Sequence, residues 1–269
     1  ANSPFTINIG GSGETEAFRI ASDGDIEAAG NLKTNNLSGR NMIINGDMRV
    51  AQRATSASMS NAGNTYDVCD RWSYNRNGVT ATVAQVAEAP DGSGFTKSLK
   101  FTTTSALGSI SAGNMLSFAY RIETQDVKKL AYGTSDAKTA TISFWVRGSL
   151  SGKVGINCAR DSRTFSANED IVANTWKFVE IVIPGDTSTA FSSGDTAAGF
   201  DVAISAAAGS NFTSGTTGGN WINFHTAYAA GFTAGQQGAY LTTNGSTFQI
   251  TGVQLEIGSQ STSFDFRYY

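Results

Sequence analysis

At 269 residues the chain is long enough to bury a substantial core, and a hydrophobic content of 40% is ordinary for a globular protein, but only 15% of its residues are charged. A formal net charge of −3 removes the positive field that a binder of nucleic acid or anionic membrane relies on, so neither is an expected partner. No apolar stretch reaches the roughly 20 residues that cross a bilayer, and no basic region followed by an apolar run opens the sequence, so neither membrane insertion nor a signal peptide is expected.

Thirty glycines against three prolines punctuate the chain and leave few stretches as long as a globular helix. Near the start, Phe5, Ile7 and Ile9 alternate, as do Phe18 and Ile20, ahead of the turn Ser22-Asp23-Gly24-Asp25. This pattern predicts two short strands and a hairpin into a third, from Ile26 to about Gly30. So little apolar material does not hold a core alone. Residues 1–40 are therefore expected to form a short shaft-like β segment stabilised by partner chains, as in an intertwined trimer, and residues 41–269 a separate domain.

Strand-like runs follow at 42–44, 71–74, 80–86, 98–103, 115–122, 139–147, 153–159, 177–183, 200–205, 221–224 and 248–257, joined by Gly, Ser, Asn and Thr loops. Short strands at this spacing predict an all-β fold, a two-sheet β-sandwich of jelly-roll type. Residues 124–132 are the helical exception, with Thr124 placed to cap a turn that contains Val127 and Leu130. Cys69 and Cys158 lie in strand-like runs without metal spacing, and read either as two buried free thiols or as one disulfide.

Phase within the strands assigns their faces. Ile142, Phe144 and Val146 share one face, which leaves Trp145 as a large aromatic on the polar side with Thr141, Ser143 and Arg147. Further on, Phe248 and Ile250 are in phase with each other and out of phase with Val253, Leu255 and Ile257. One extra residue at Thr251-Gly252 restores the register, so a β-bulge is expected there.

The run Asn41-Met42-Ile43-Ile44-Asn45-Gly46-Asp47-Met48-Arg49-Val50-Ala51-Gln52-Arg53, followed by Asp70-Arg71-Trp72, resembles the opening of a domain common in phage tail-fibre and related virion proteins. Later runs resemble its later strands in order: Ile142 to Ser149, Trp176 with Ile183-Pro184-Gly185-Asp186-Thr187, and Ile250 to Gly258. The likeness spans Asn41 to Arg267, and Phe18 to Ile26 is similar to the shaft strands that precede such domains. It implies a virion appendage part, a homotrimer that meets other virion proteins and the host surface. The layout is also distantly similar to carbohydrate-binding jelly rolls, whose first strand often carries an Asn-Gly-Asp turn followed by Phe-Glu, the acid helping to hold a structural calcium. Here Met48-Arg49 stands in that place. No metal is therefore assigned, and Asp47 and Glu256 are left as weak calcium candidates. No other cofactor is expected.

Catalytic constellations are missing their parts. The single histidine, His225, has no HxH or HxxxH partner, which leaves a His-based metal site or a Ser-His-Asp triad incomplete. Glycoside hydrolysis needs two opposed carboxylates, and nothing in the spacing of Asp67, Asp70, Asp161, Glu169 and Asp170 sets a pair apart. The glycine runs at 10–13 and 215–219 lack the Lys-Ser/Thr ending of a phosphate loop. Asp70 and Arg71 beside Trp72 have the makings of a polar-ligand site, but the alternation of Trp72 with Tyr74 reads as a core face. The chain is not expected to be an enzyme.

Aromatic rings stack on the apolar faces of sugars while neighbouring amides and charges bond the hydroxyls, so surface aromatics are the candidate glycan contacts. Trp145, Trp221, Tyr228 and Tyr240 qualify, with Asn223 on the strand face of Trp221 and Tyr228, Phe232 and Tyr240 along the loop 227–245. Two functions follow: a receptor-binding fibre module that recognises host-surface glycan, or a purely structural virion adaptor or capsid-decorating spike. A glycan binder should leave two aromatics more than about a third exposed beside amides, whereas an adaptor buries them between chains. The aromatic end Phe264-Asp265-Phe266-Arg267-Tyr268-Tyr269 is expected to dock on its own domain or a neighbour.

Overall fold

The structure, a computed structural model, describes residues 5–9, 15–20, 26–28, 39–59, 63–191, 194–213, 220–223 and 238–267. The first strands, β1 (Phe5–Ile9), β2 (Thr15–Ile20) and β3 (Ile26–Ala28), form an antiparallel sheet in the order β1-β2-β3, with Phe5 opposite Ile20 and Phe18 opposite Ala28. These are the strands that the alternation of Phe and Ile predicted.

Among the described residues the rest of the chain forms two antiparallel sheets. One runs β13 (Lys177–Ile183), β10 (Ala140–Gly148), β16 (Thr247–Ile257), β8 (Ser98–Ser105), β7 (Thr80–Val86), β4 (Ser56–Met59). The other runs β15 (Ile222–Asn223), β12 (Arg163–Ile171), β11 (Gly152–Arg160), β14 (Ala198–Ala208), β9 (Met115–Glu123), β6 (Trp72–Asn77), β5 (Gly63–Thr65). From β8 to β11 every connection switches sheet, as do those from β12 to β14, so consecutive strands face each other across the core. This is the expected jelly-roll sandwich.

The inward phase fills the space between the sheets. Ile142, Phe144 and Val146 are fully buried, as their alternation requires. Phe101 and Phe248 of one sheet meet Phe118 of the other, with ring centroids 5.6 and 6.1 Å away. Truncating one such ring costs about 3–5 kcal/mol. Both cysteines are buried and free. Burial raises the Cys69 thiol to about 12, and raises Cys158 as well.

A buried ionic knot closes one end of the sandwich. Arg160, with no exposed side-chain surface, and Arg163 both bond Asp186, at 3.2 and 3.1 Å. The Arg160 guanidinium also lies over the rings of Tyr132 and Phe191, 5.2 and 4.8 Å from their centroids. This explains the motif Ile183-Pro184-Gly185-Asp186. Pro184 offers its carbonyl to Trp221 Nε1 at 2.7 Å, and a Cβ on Gly185 would come within 2.3 Å of the Ala137 carbonyl oxygen.

Several expectations need correction. Residues 42–44 are no strand but a buried loop, because Asn41 Oδ1 accepts from the backbone N–H groups of Ile43 and Leu255 and diverts the chain from a ladder. Asn45 and Met48 there take left-handed φ of 57° and 59°. Thr124 does not cap α1 (Thr124–Val127); Glu123 holds that position without a side-chain bond, and the Thr124 hydroxyl donates to Ala197 O at 3.3 Å. Strand β12 was not anticipated, because its burial follows no clean alternation. The bulge is where the phase shift put it: Ser143 faces Gln254 and Trp145 faces Thr251, so Phe144 opposes both Gly252 and Val253. Gly252 adopts φ 63°, and a Cβ there would strike the Phe95 ring at 2.6 Å.

The aromatic end docks on its own domain as far as Arg267, and Tyr268 and Tyr269 lie outside the described residues. Phe264 and Phe266 surround Phe95, with centroids 4.9 and 6.0 Å away, and Arg49 lies over Phe266. Asp265 accepts from the N–H groups of Arg40 and Asn41, while Arg267 donates to the carbonyls of Asn41 and Met42 and pairs with Asp126 at 3.4 Å.

Candidate functional site

The outer face of the six-stranded sheet is ordered into rows by register. Phe178, Trp145 and Thr251 lie side by side across β13, β10 and β16. The two rings make a tilted pair 5.3 Å apart, with Phe178 42% exposed on the edge strand and Trp145 half-buried beside it. On one side the adjacent row is Glu180, Ser143 and Gln254; on the other it is Arg147, Gln249 and Lys100. An aromatic strip is thus flanked by amides, a hydroxyl and charges.

Trp145 and Phe178 form one wall of a groove of about 240 Å³, which Ser143, Gln254, Thr262 and Phe264 also line. Its polar groups are held in fixed orientations. The Gln254 amide nitrogen donates to Glu256 at 2.7 Å and its oxygen accepts from Asp265 N at 2.7 Å. The neighbouring row is fixed by Glu88, which accepts from Lys100 at 2.9 Å and Gln249 at 3.3 Å and faces Arg147 at 3.6 Å. The Lys100 bond is the main cause that holds the Glu88 carboxyl below the usual carboxylate range. Gln249 Oε1 is buried and bonds no partner among the described residues. Ring stacking with preset amide and carboxylate partners is the chemistry of saccharide recognition.

The candidate residues meet different fates. Trp145 occupies the outer face as its phase predicts. Trp221 is 7% exposed and packs among Tyr132, Phe165 and Phe200 at 5.7 to 6.0 Å, so it is a core residue and no sugar platform. Tyr240, 3% exposed, is likewise sealed inside; its hydroxyl donates to Leu150 O at 2.7 Å, and burial raises it to about 12. Asn223 is exposed, but its Oδ1 accepts from Arg163 at 2.8 Å, and it lies on the seven-stranded sheet while Trp145 lies on the six-stranded one. Tyr228, Phe232 and His225 lie outside the described residues.

Phe178 was missed, although the signal was present. In β13 Val179, Ile181 and Ile183 alternate with Phe178, Glu180 and Val182, the same phase argument that singled out Trp145. Two aromatics are exposed by more than a third, Phe178 beside the polar rows and, at 38%, Phe266 beside Phe95, Phe264 and Arg49, but neither was among the named candidates.

The calcium candidates have other partners. Asp47 is buried against Arg49 at 3.2 Å, and burial raises its carboxyl above the ordinary range. Glu256 is buried and accepts from Thr262 N and Oγ1 and from Gln254. Among the described residues no three His, Cys, Asp or Glu side chains come together to hold a metal ion. The strand-end acids are engaged too: Asp67 by the Tyr74 hydroxyl, Asp70 by Gln52 N, Asp161 by Arg160, Glu169 by Lys177 and Asp170 by Lys153.

No family model and no curated protein matches the chain. Among solved structures it is similar to the enzymatically active domain of bacteriophage CBA120 tailspike protein 4, at 12% identity and TM-score 0.42 over 81% of this chain and 21% of that one. The chain thus spans about a fifth of that structure's length. It is also similar to a CBM4 structure, at 10% identity and TM-score 0.37, covering 79% of this chain and 97% of that one. The CBM22-1 xylan-binding domain of Paenibacillus barcinonensis Xyn10C gives 13% identity and TM-score 0.35, over 77% and 94% of the two chains.

Proposed function

We propose that this chain is a non-enzymatic glycan-recognition module of a phage tail fibre or another virion appendage, acting as a homotrimer whose outer sheet face meets saccharide on the host surface. The observation that carries the reading is the Phe178–Trp145–Thr251 row with polar rows on both flanks. A sugar ring laid on the aromatic pair has the partly exposed Arg147 and Glu88 on one side, with the buried Ser143, Gln254 and Gln249 in the flanking rows beneath. The virion setting rests on the ordered motifs between Asn41 and Arg267, and the trimer on the three N-terminal strands, whose few apolar residues need partner chains.

The test is an array of host-envelope polysaccharides probed with the intact chain, with its mass read by light scattering. Binding to a defined glycan, lost at least tenfold in Phe178→Ala and Trp145→Ala with folding unchanged, is the expected result. A mass of three times the 28.2 kDa chain is expected alongside. Full binding in both variants would remove this site.

One feature favours a second reading, a structural adaptor. Val182, 44% exposed, shares the outward face of the edge strand β13 with Phe178, and a neighbouring subunit could cover both. In that case the same substitutions dissociate the assembly, and no glycan binds.

A further inference from the structure

We infer that the chain carries a second, separate ligand site, an arginine-lined groove at the end of the seven-stranded sheet that takes an acidic sugar residue through its carboxylate, sulfate or phosphate. This site does not rest on the Trp145 groove, which lies on the other sheet.

Arg53, Arg71 and Arg121 all line a cavity of about 440 Å³, together with Tyr66, Glu123 and Thr196. The backbone sets each guanidinium there for a reason. Arg121 is on the outward phase of β9, between the buried Tyr120 and Ile122. Arg71 precedes β6 in a left-handed turn, φ 72°, that a non-glycine residue adopts only under strain. The turn is imposed from both sides, because the Asn45 amide bonds Asp70 O at 2.9 Å while Trp72 is buried with its Nε1 on Asn45 O at 3.0 Å. The strained backbone thus turns Arg71 toward the groove and Trp72 into the core. Arg53 reaches in from the loop before β4 and bonds the Tyr66 carbonyl oxygen at 2.7 Å.

Charge is unbalanced at this place. Arg71 pairs with Glu123 and Arg121 with Asp201, at 3.3 and 3.4 Å, and Glu123 also accepts from Gln125. Among the described residues no carboxylate meets Arg53. Three guanidiniums therefore face two acids in a chain whose formal net charge is −3, so the positive excess is local and not a result of composition. The cavity has the size of a small-ligand site. A guanidinium fork matches a planar oxyanion, the half-buried Tyr66 ring offers a sugar an apolar wall, and the exposed Thr196 hydroxyl can bond a ring hydroxyl. An acidic peptide would use the arginines alone.

The test is calorimetric titration of the full chain with a glucuronate-containing tetrasaccharide and its carboxyl-reduced, neutral counterpart, with sulfated and phosphorylated oligosaccharides and a polyglutamate peptide in parallel. At least one acidic saccharide is expected to bind at least tenfold more tightly than the neutral one, and more weakly as salt rises. Arg53→Ala, an exposed change with no carboxylate left unpaired, is expected to weaken that binding about tenfold, and Arg53→Ala with Arg121→Ala to weaken it further; circular dichroism confirms the fold of each. Trp145→Ala is expected to bind the acidic saccharide as the native chain does. Equal affinity for acidic and neutral saccharides, loss of binding in Trp145→Ala in place of the arginine variants, or polyglutamate binding as tightly as the saccharide would each overturn the assignment.

Discussion

Two aromatic clusters in this protein are built from the same residue types and serve opposite ends. Around Trp221, the rings of Tyr132, Phe165 and Phe200 close over a tryptophan whose N–H bonds a backbone carbonyl, and the buried knot of Arg160, Arg163 and Asp186 borders them. At Trp145 the partner ring is on an edge strand, and the neighbours are buried amides and partly exposed charges. The difference is phase. A tryptophan held by a full-length strand is directed by alternation, whereas Trp221 lies just before a two-residue strand, where nothing enforces the outward side.

The comparison can be broken first at its buried side. Asp186→Ala takes one of two carboxylates from the buried Arg160 and its partner carboxylate from the part-buried Arg163, and a loss of about 3–5 kcal/mol is expected in urea denaturation. A loss under about 1 kcal/mol would show that the knot contributes no more than a surface pair. Trp221→Ala should cost about 3–5 kcal/mol through its cavity while leaving the glycan profile of the folded fraction unchanged. Selective loss of glycan binding without loss of stability would return Trp221 to the site.

Alkali sharpens the contrast further. Cys69 near 12 and Tyr240 near 12 both lie above their ordinary values of 9.0 and 10.0, so the unfolded chain gives up these protons first. Stability from these groups is complete below about pH 9 and drains away as pH rises toward 12. Urea midpoints are expected to hold to pH 9 and then fall, and native thiols to stay unlabelled by a thiol reagent until the chain unfolds. The smallest effect on stability is expected at the exposed ring: Phe178→Ala should change it by no more than about 1 kcal/mol, yet remove glycan binding.

The contrast also separates what sequence could reveal from what it could not. Alternation located Trp145 and the bulge at Gly252, because both follow from the period of two in a strand. Phe178 followed from the same rule but was passed over, since Phe is commonly counted as core. Residues 42–44 read as a strand because three apolar side chains stand in a row. Their loop is set by Asn41 reaching Leu255, a contact 214 positions away that no local pattern carries. The fates of Trp221 and Tyr240 likewise depend on distant partners, the carbonyls of Pro184 and Leu150.

The clasp between residues 40–42 and 263–267 has a mechanical consequence. Arg40 bonds Ser263 O and Asp265, Asn41 reaches the Asp265 backbone oxygen, and Arg267 grips Asn41 and Met42. Tension applied between residues 39 and 267 is therefore borne first by this short lashing, and the sandwich hangs beside the line of force as an unloaded side branch. A domain so tied keeps both sheets undistorted while its two ends are pulled apart.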